Sequence, residues 1–244
     1  MTKQQGAFNL TTNHPFVASC RIGPALPVDA GFFMSGESKM NRVAFFIDGF
    51  NVFHALDENK SYHKYKWLDY SKLAKCFVSS KDEITGVYYF TAYVEWNKDK
   101  KARHQLLVRA LTMQGVNVIF GKFKIKDKEC QLCHRTYKTY EEKQTDVNIS
   151  IKLFQYAYDD IFDTAILVTG DSDIVPAIKA VKQSFPAKRI GLVIPIGRHA
   201  EEMKNVCDFY MKMKQKHLMN SQFPDSITID AAKNITLNRP ATWK

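Results

Sequence analysis

The sequence predicts an α/β fold in which a mostly parallel β-sheet is flanked by helices. Short apolar runs rich in Val, Ile, Phe and Tyr recur from Arg42 onward, and amphipathic helical stretches separate them. Parallel neighbouring strands need a crossover connection, which is usually a helix. The 244 residues, 45% hydrophobic and 25% charged, have the composition of an ordinary globular protein, which excludes a disordered or fibrous chain.

Five strands and five helices are predicted in alternation. The strands span 43–47, 87–94, 116–120, 165–168 and 190–194, and the helices span 71–78, 98–113, 146–158, 174–184 and 200–206. In the helix over 146–158, we expect one apolar stripe to pack on the sheet, and it consists of Val147, Ile151, Phe154 and Tyr158.

The segments on either side of this region differ from it in composition. Residues 1–39 contain prolines and glycines without sustained apolar periodicity, so we expect a separate leader arm; the alternative is an upstream segment that precedes a natural start at Met34 or Met40. Residues 40–220 are predicted to form one domain. Residues 221–244 are predicted to be a loosely packed C-terminal extension.

An inserted β-hairpin is predicted over about 121–141, because two stretches with period-two character flank a short turn. Four lysines alternate with Phe123 and Ile125, so they share one face of the first strand, and two further cations on the return strand could extend this ladder: Lys122, Lys124, Lys126, Lys128, Arg135 and Lys138. A lysine ladder either binds nucleic-acid phosphates or blunts an exposed strand edge, and both interpretations are open.

The hairpin turn has the sequence Cys130-Gln-Leu-Cys133-His134. Cys130 and Cys133 have the spacing of half a zinc ribbon, with His134 or a partner subunit completing four ligands. The alternative is a reduced pair without a metal, because the chain has no second such motif. The string also matches a c-type haem attachment motif, which is rejected because no export signal precedes it.

The charge balance favours a polyanionic partner. Lys and Arg number 35 against 25 acidic residues, a formal net charge of +10. No apolar run approaches the roughly 20 residues of a membrane-spanning helix, and no secretory signal is recognisable. We therefore expect a cytoplasmic protein that does not enter the membrane.

Aspartates follow two of the predicted strands. Asp48 ends the first, Asp171 and Asp173 follow the fourth, and Asp146 opens the helix before the fourth. In an open α/β sheet, ligands bind at the carboxyl ends of the strands. Each aspartate alone could cap a helix, but several at one edge would repel one another unless a cation lay between them. Mg²⁺ or Mn²⁺ suits such a set of oxygen ligands.

Three motifs carry a family resemblance. Residues 46–51 (FIDGFN), 142–149 (EKQTDVNI) and 167–174 (LVTGDSDI), in this order and spacing, resemble the NYN domain, specifically the LabA-like branch of the PIN-like nuclease superfamily. The resemblance covers residues 42–211 and implies a Rossmann-like sheet with a metal-dependent ribonuclease site. It implies catalytic and metal-binding roles for Asp48, Asp146, Asp171 and Asp173, with Asn51, Thr169 and Ser172 supporting them.

The function predicted first is therefore hydrolysis of RNA phosphodiester bonds by a metal-dependent ribonuclease, with single-stranded RNA as the expected partner. Two alternatives stay open. One is a non-catalytic module that binds RNA or a nucleotide in the same cleft, and the other is a phosphatase-like hydrolase. A homodimer that pairs through the exposed edge of the hairpin is also considered.

Overall fold

A six-stranded parallel sheet forms the centre of the computed structural model, which describes residues 40–230 and 235–244. The strands of the chain are β1 (Asn41–Asp48), β2 (Asp82–Thr91), β3 (Asn117–Phe120), β4 (Lys122–Glu129), β5 (Thr136–Lys143), β6 (Thr164–Val168), β7 (Arg189–Ile194), β8 (Phe209–Lys212), β9 (Ser226–Asp230) and β10 (Ile235–Asn238). The sheet order is β3-β2-β1-β6-β7-β8, so the chain changes direction across the sheet between β1 and β6. The predicted leader at 1–39 lies outside the described residues.

Helices cover both faces of the sheet. They are α1 (Gly49–Asp57), α2 (Tyr70–Lys75), α3 (Lys98–Met113), α4 (Thr145–Tyr158), α5 (Val175–Ser184), α6 (Glu201–Val206) and α7 (Gln215–Asn220), with short 3₁₀ helices at Lys60–Tyr65, Ser172–Ile174 and Ala241–Trp243. The helices α1, α2, α3 and α7 share one core, and α4, α5 and α6 share the other. The predicted α/β class is confirmed.

Alternation along β1 explains why two cores form. Val43, Phe45 and Ile47 point into one core, whereas Ala44 and Phe46 point into the other. All five residues are buried, because a strand in the middle of a doubly covered sheet has no solvent face. This produces the continuous apolar run seen in the sequence.

The face that α4 buries is not the predicted one. Val147, Ile151, Phe154 and Tyr158 are all exposed, so their predicted packing on the sheet is wrong. The helix instead buries Thr145, Ile149, Leu153 and Ala157, which recur every four residues along it. Two stripes of apolar residues occupy this helix, and the stripe that packs against β1 and α5 is the buried one.

The predicted hairpin is confirmed as the antiparallel pair β4–β5. Its register places Lys124 opposite Glu141 and Asp127 opposite Lys138. Directly opposed residues share a face, so Lys138 lies on the other side of the hairpin from the ladder of Lys122, Lys124, Lys126 and Lys128. The predicted extension of the ladder by Lys138 is therefore wrong.

The C-terminal segment is packed more tightly than its sequence predicts. Phe223, Leu237 and Trp243 are buried in the same core as Trp67. The indole Nε1 of Trp67 donates a hydrogen bond to the carbonyl oxygen of Pro224 at 2.9 Å. A fully buried tryptophan needs apolar cover and a partner for its N–H, and the segment after Asn220 supplies both.

Within the ranges that the structure describes, none of the helices is both long and apolar enough to cross a membrane.

Candidate metal centre and adjoining cavity

The candidate site lies where the sheet changes direction, at the carboxyl ends of β1 and β6. Asp48 is the last residue of β1, and Asp171 follows β6 by three residues. Because β1 and β6 are adjacent and parallel, these two aspartates come to the same edge. This is the position at which open α/β sheets bind ligands.

Asp48 is buried and accepts one hydrogen bond at each of its carboxylate oxygens. As the N-cap of α1, it accepts a hydrogen bond at Oδ1 from the backbone N–H of Asn51 at 3.0 Å. The hydroxyl of Thr169 donates to Oδ2 at 2.9 Å. The next residue, Gly49, must be glycine, because a Cβ there would lie 2.6 Å from Cζ of Tyr89.

Thr169 and Asn51 also hold the loop after β6. The Thr169 hydroxyl accepts a hydrogen bond from the backbone N–H of Asp171 at 3.1 Å, and Oδ1 of Asn51 accepts one from Gly170 N–H at 2.9 Å. Asp171 in turn caps the 3₁₀ helix at Ser172–Ile174 by accepting from Asp173 N–H at 3.0 Å. Thr169 and Asn51 thus connect the segment that carries Asp48 with the loop that carries Asp171.

Asp146 completes a cluster of three carboxylates. It lies in the first turn of α4, whose N-cap is Gln144, so Asp146 is not the capping residue. One oxygen from each of Asp48, Asp146 and Asp171 lies within 4.8 Å of the others. Asp173 and Ser172 border this cluster but are exposed, and Asp173 is not among the three side chains that converge.

Burial and mutual repulsion make the cluster unfavourable when all its carboxylates are charged. Burial, together with the charges of Asp146 and Asp171, raises the pKa of Asp48 to about 6, against the lowering effect of its two hydrogen bonds. The pKa of Asp146 is also raised, first by burial and then by the charges of Asp171 and Asp173. A cation at this position would relieve the repulsion.

Glu142 is a fourth acidic residue near the cluster, and sequence reasoning did not select it. It lies in β5, and its Oε1 is buried without accepting a hydrogen bond from the part of the chain that the structure describes. Burial raises the pKa of Glu142 to about 7, and the charges of Asp48, Asp146 and Asp171 contribute. The only sequence signal was its position four residues before Asp146 in the second motif.

A cavity of about 560 Å³ adjoins the cluster, and we call it the aromatic cavity. Gly49 and Glu142, which border the cluster, also line this cavity. Its aromatic walls come from three parts of the chain and include Phe50, Phe53, Trp96, Phe123 and Tyr140, and its basic residues include Lys66, Lys100 and Arg103. The volume falls in the range of small-molecule sites, about 300–1,000 Å³.

The predicted hairpin sites lie apart from this cavity. Phe123, Tyr140 and Glu142 share the face of the hairpin that lines the cavity, so the lysine ladder is on the opposite face. The ladder is exposed, and one of its charges is partly neutralised because Glu141 lies 3.8 Å from Nζ of Lys126. Arg135 is exposed at the end of the turn.

The cysteine turn does not gather metal ligands. Nδ1 of His134 lies 2.7 Å from Oε1 of Glu129. Hydrogen bonds from the backbone N–H groups of Cys133 and Leu132 lower the pKa of Cys130. Across residues 40–230 and 235–244, three or more potential ligands converge only at Asp48, Asp146 and Asp171, so zinc at Cys130, Cys133 and His134 stays a prediction.

The chain is similar to several known proteins. The sequence model of the NYN domain matches residues 42–214. A Pseudomonas putida protein named 6-hydroxy-3-succinoylpyridine 3-monooxygenase is 24% identical, over 76% of this chain and 70% of that protein. The crystal structure of a Vibrio parahaemolyticus protein of unknown function superposes with a TM-score of 0.51 at 18% identity, covering 75% of this chain and 98% of that one. The last similarity shows the fold alone.

Proposed function

Because the chain belongs to the NYN domain family, which is part of the PIN-like nuclease superfamily, we propose that it is a metal-dependent ribonuclease. The observation that carries this proposal is the convergence of Asp48, Asp146 and Asp171 at the edge of the sheet where it changes direction. The proposed reaction is hydrolysis of a phosphodiester bond of single-stranded RNA in the cytoplasm. The LabA-like branch stays a prediction.

The residues of the cluster fit a divalent metal ion. All three donors are carboxylate oxygens, the ligands that Mg²⁺ and Mn²⁺ prefer. The oxygens bound to one octahedral Mg²⁺ lie about 3–4 Å apart, and those of the cluster lie within 4.8 Å, so small side-chain movements would complete the site. A bound ion would lower the pKa of a coordinated water and neutralise charge on the phosphodiester.

The chain's own residues hold the ligands in place. The Thr169 hydroxyl bonds to the Asp48 carboxylate and to the backbone N–H of Asp171, so it ties Asp48 to the loop that carries Asp171. Asp146 accepts no hydrogen bond from the residues described here, and this leaves its oxygens available for the metal. Asp173, whose charge acts on Asp146, is proposed as an outer carboxylate of the same site.

The partner is proposed from charge and family together. A formal charge of +10 favours a polyanion over a small phosphate ester. The Pseudomonas putida relative is named for a reaction on a pyridine, but the family and the carboxylate cluster both favour phosphodiester hydrolysis. The homodimer remains a proposal without a supporting contact in the described residues.

The test is a cleavage assay with a matched pair of variants in α4. Labelled single-stranded RNA and DNA are incubated with Mn²⁺, Mg²⁺ or chelator. Asp146→Asn removes a ligand that has no structural hydrogen bond, and we expect the rate to fall more than about a hundredfold. Asp159→Asn, at the exposed other end of the same helix, should cleave like the parent protein.

Each outcome has a distinct meaning. The proposal is supported if the parent protein and Asp159→Asn cleave RNA in the presence of metal and Asp146→Asn does not. Retention of RNA without product would favour the non-catalytic binding module instead. Hydrolysis of p-nitrophenyl phosphate that is insensitive to salt, with intact RNA, would favour the phosphatase-like alternative, since polymer binding weakens steeply as salt rises.

A further inference from the structure

None of the three clustered carboxylates lines the aromatic cavity, although Gly49 and Glu142 connect the cavity to the cluster. Four rings form a continuous wall. Phe50 contacts Phe123 edge to face at 5.4 Å between centroids, and Phe123 contacts Trp96 in the same way at 4.8 Å. Trp96 then stacks on Tyr140 with centroids 3.6 Å apart and ring planes 11° apart.

Much of this ring surface is free. Trp96 is 41% exposed and Tyr140 is 36% exposed although they stack on each other. Trp96 lies in the loop before α3. An exposed loop position that has no binding role is usually occupied by a polar residue. An exposed pair of stacked rings at the mouth of a cavity is the usual platform for a planar aromatic ligand.

Basic side chains in the cavity favour an anionic group beside the Trp96–Tyr140 pair. Lys100 and Arg103, one turn apart on α3, both line it. Neither forms an ion pair with a carboxylate within 40–230 or 235–244, so both charges are available to a ligand. Two acidic residues also line the cavity: Asp57, which pairs with Lys66, and Glu142, which lies near the carboxylate cluster.

We propose that the aromatic cavity binds one nucleotide of the RNA, with its base stacked on the Trp96–Tyr140 pair and its phosphate near Lys100 and Arg103. The inference rests on the proposed function, and it identifies the binding site of the nucleotide next to the scissile bond. A cavity of 560 Å³ accommodates a single nucleotide. Stacking accepts any base, so the site positions the strand without selecting a sequence.

The test is a coupling measurement in the Asp146→Asn background with chelator, so that binding is measured without cleavage. The probes are fluorescein-labelled hexauridylate and six versions in which one uracil is replaced by an abasic ribose. Dissociation constants are measured by anisotropy for chains with Trp96 and with Trp96→Ala. Thermal melting confirms that Trp96→Ala is folded, which its exposure predicts.

We expect one abasic position to weaken binding by about 5- to 150-fold, the range measured for base–aromatic stacking. Trp96→Ala should weaken binding of intact RNA by a similar factor and abolish the effect of that abasic position, because both changes remove the same contact. Trp96→Phe should keep most of the affinity. Tyr158→Ala, which removes a ring that is 75% exposed on α4, should bind like the parent.

Several results would overturn the inference. If the abasic effect persists undiminished in Trp96→Ala, or if that variant binds intact RNA normally, the base does not stack there. Displacement of RNA by 4-hydroxybenzoate without any abasic effect would assign the cavity to a small aromatic acid. Cleavage without coupling refutes the cavity assignment alone, whereas coupling without cleavage in the parent protein refutes the nuclease alone.

Discussion

Replacing Asp48 by asparagine should make the metal-free protein more stable at neutral pH. Burial and the neighbouring carboxylates raise the pKa of Asp48 from 3.8 to about 6. At about 1.4 kcal/mol per pKa unit, the charged side chain costs the folded state about 3 kcal/mol. The asparagine keeps an acceptor for Asn51 N–H but loses a charge-assisted bond from Thr169, so we expect a net gain of about 1–2 kcal/mol.

The pH dependence identifies the cause. A folded pKa above the unfolded one means that the folded state holds a proton that the unfolded state has released between about pH 4 and 6. The penalty is therefore absent below about pH 4, grows through this window and is complete above about pH 6. At neutral pH with chelator, we expect the melting temperature of Asp48→Asn to exceed that of the parent by about 2–8 °C. A variant that melts below the parent, or an advantage that persists below about pH 4, would refute the reasoning.

Asp82→Asn is the matched control with the opposite sign. Hydrogen bonds from the side chain of Asn41 and from Ser79 lower the pKa of Asp82. Its charge therefore stabilises the folded state above the unfolded pKa, and this contribution is lost as pH falls through the folded pKa. The substitution should lower the melting temperature at neutral pH.

Two further predictions concern α4 and the metal. Leu153→Ala should lower the free energy of unfolding, measured in urea, by about 2–5 kcal/mol. Ile151→Ala should change it by less than about 0.5 kcal/mol. A larger loss for Ile151→Ala than for Leu153→Ala would mean that the other stripe is buried. Mn²⁺ at about 100 times its dissociation constant should stabilise the parent protein by about 2.7 kcal/mol and leave Asp146→Asn unchanged, as measured by thermal melting; an equal shift in both proteins would place the ion elsewhere.

The strands that carry the site were predictable because their physical signal is strong. The strands β1, β6 and β7 are buried on both faces, so selection for burial leaves an unbroken run of four or five non-polar residues in each. Asp48 and Asp171 stand where those runs end, which makes them conspicuous. The sequence order of strands, however, does not state that β1 and β6 are neighbours.

The choice of the buried face of α4 could not be made from its periodicity. Ile149 and Leu153 form one apolar stripe, and Val147, Ile151 and Phe154 form another, so the helix is apolar on most of its circumference. Only the packing of α4 against β1 and α5 distinguishes the two. The C-terminal segment was missed for a related reason, since its buried Phe223 and Trp243 are separated by polar residues and carry no period.

The residues that line the aromatic cavity were the hardest to predict from the sequence. Glu142 and Tyr140 alternate with charged and polar neighbours in β5, and such a pattern is typical of any hairpin exposed to solvent. Their importance arises because the hairpin folds back so that this face, and not the lysine face, meets α1. The lysine ladder attracted attention because four like charges in sequence are easy to see, whereas the cations that line the cavity are spread over α3 and the segment after α1. If the cavity binds a nucleotide, recognition of RNA by this protein depends on a surface that only the tertiary structure assembles. The lysine ladder then contributes only a positive electrostatic potential.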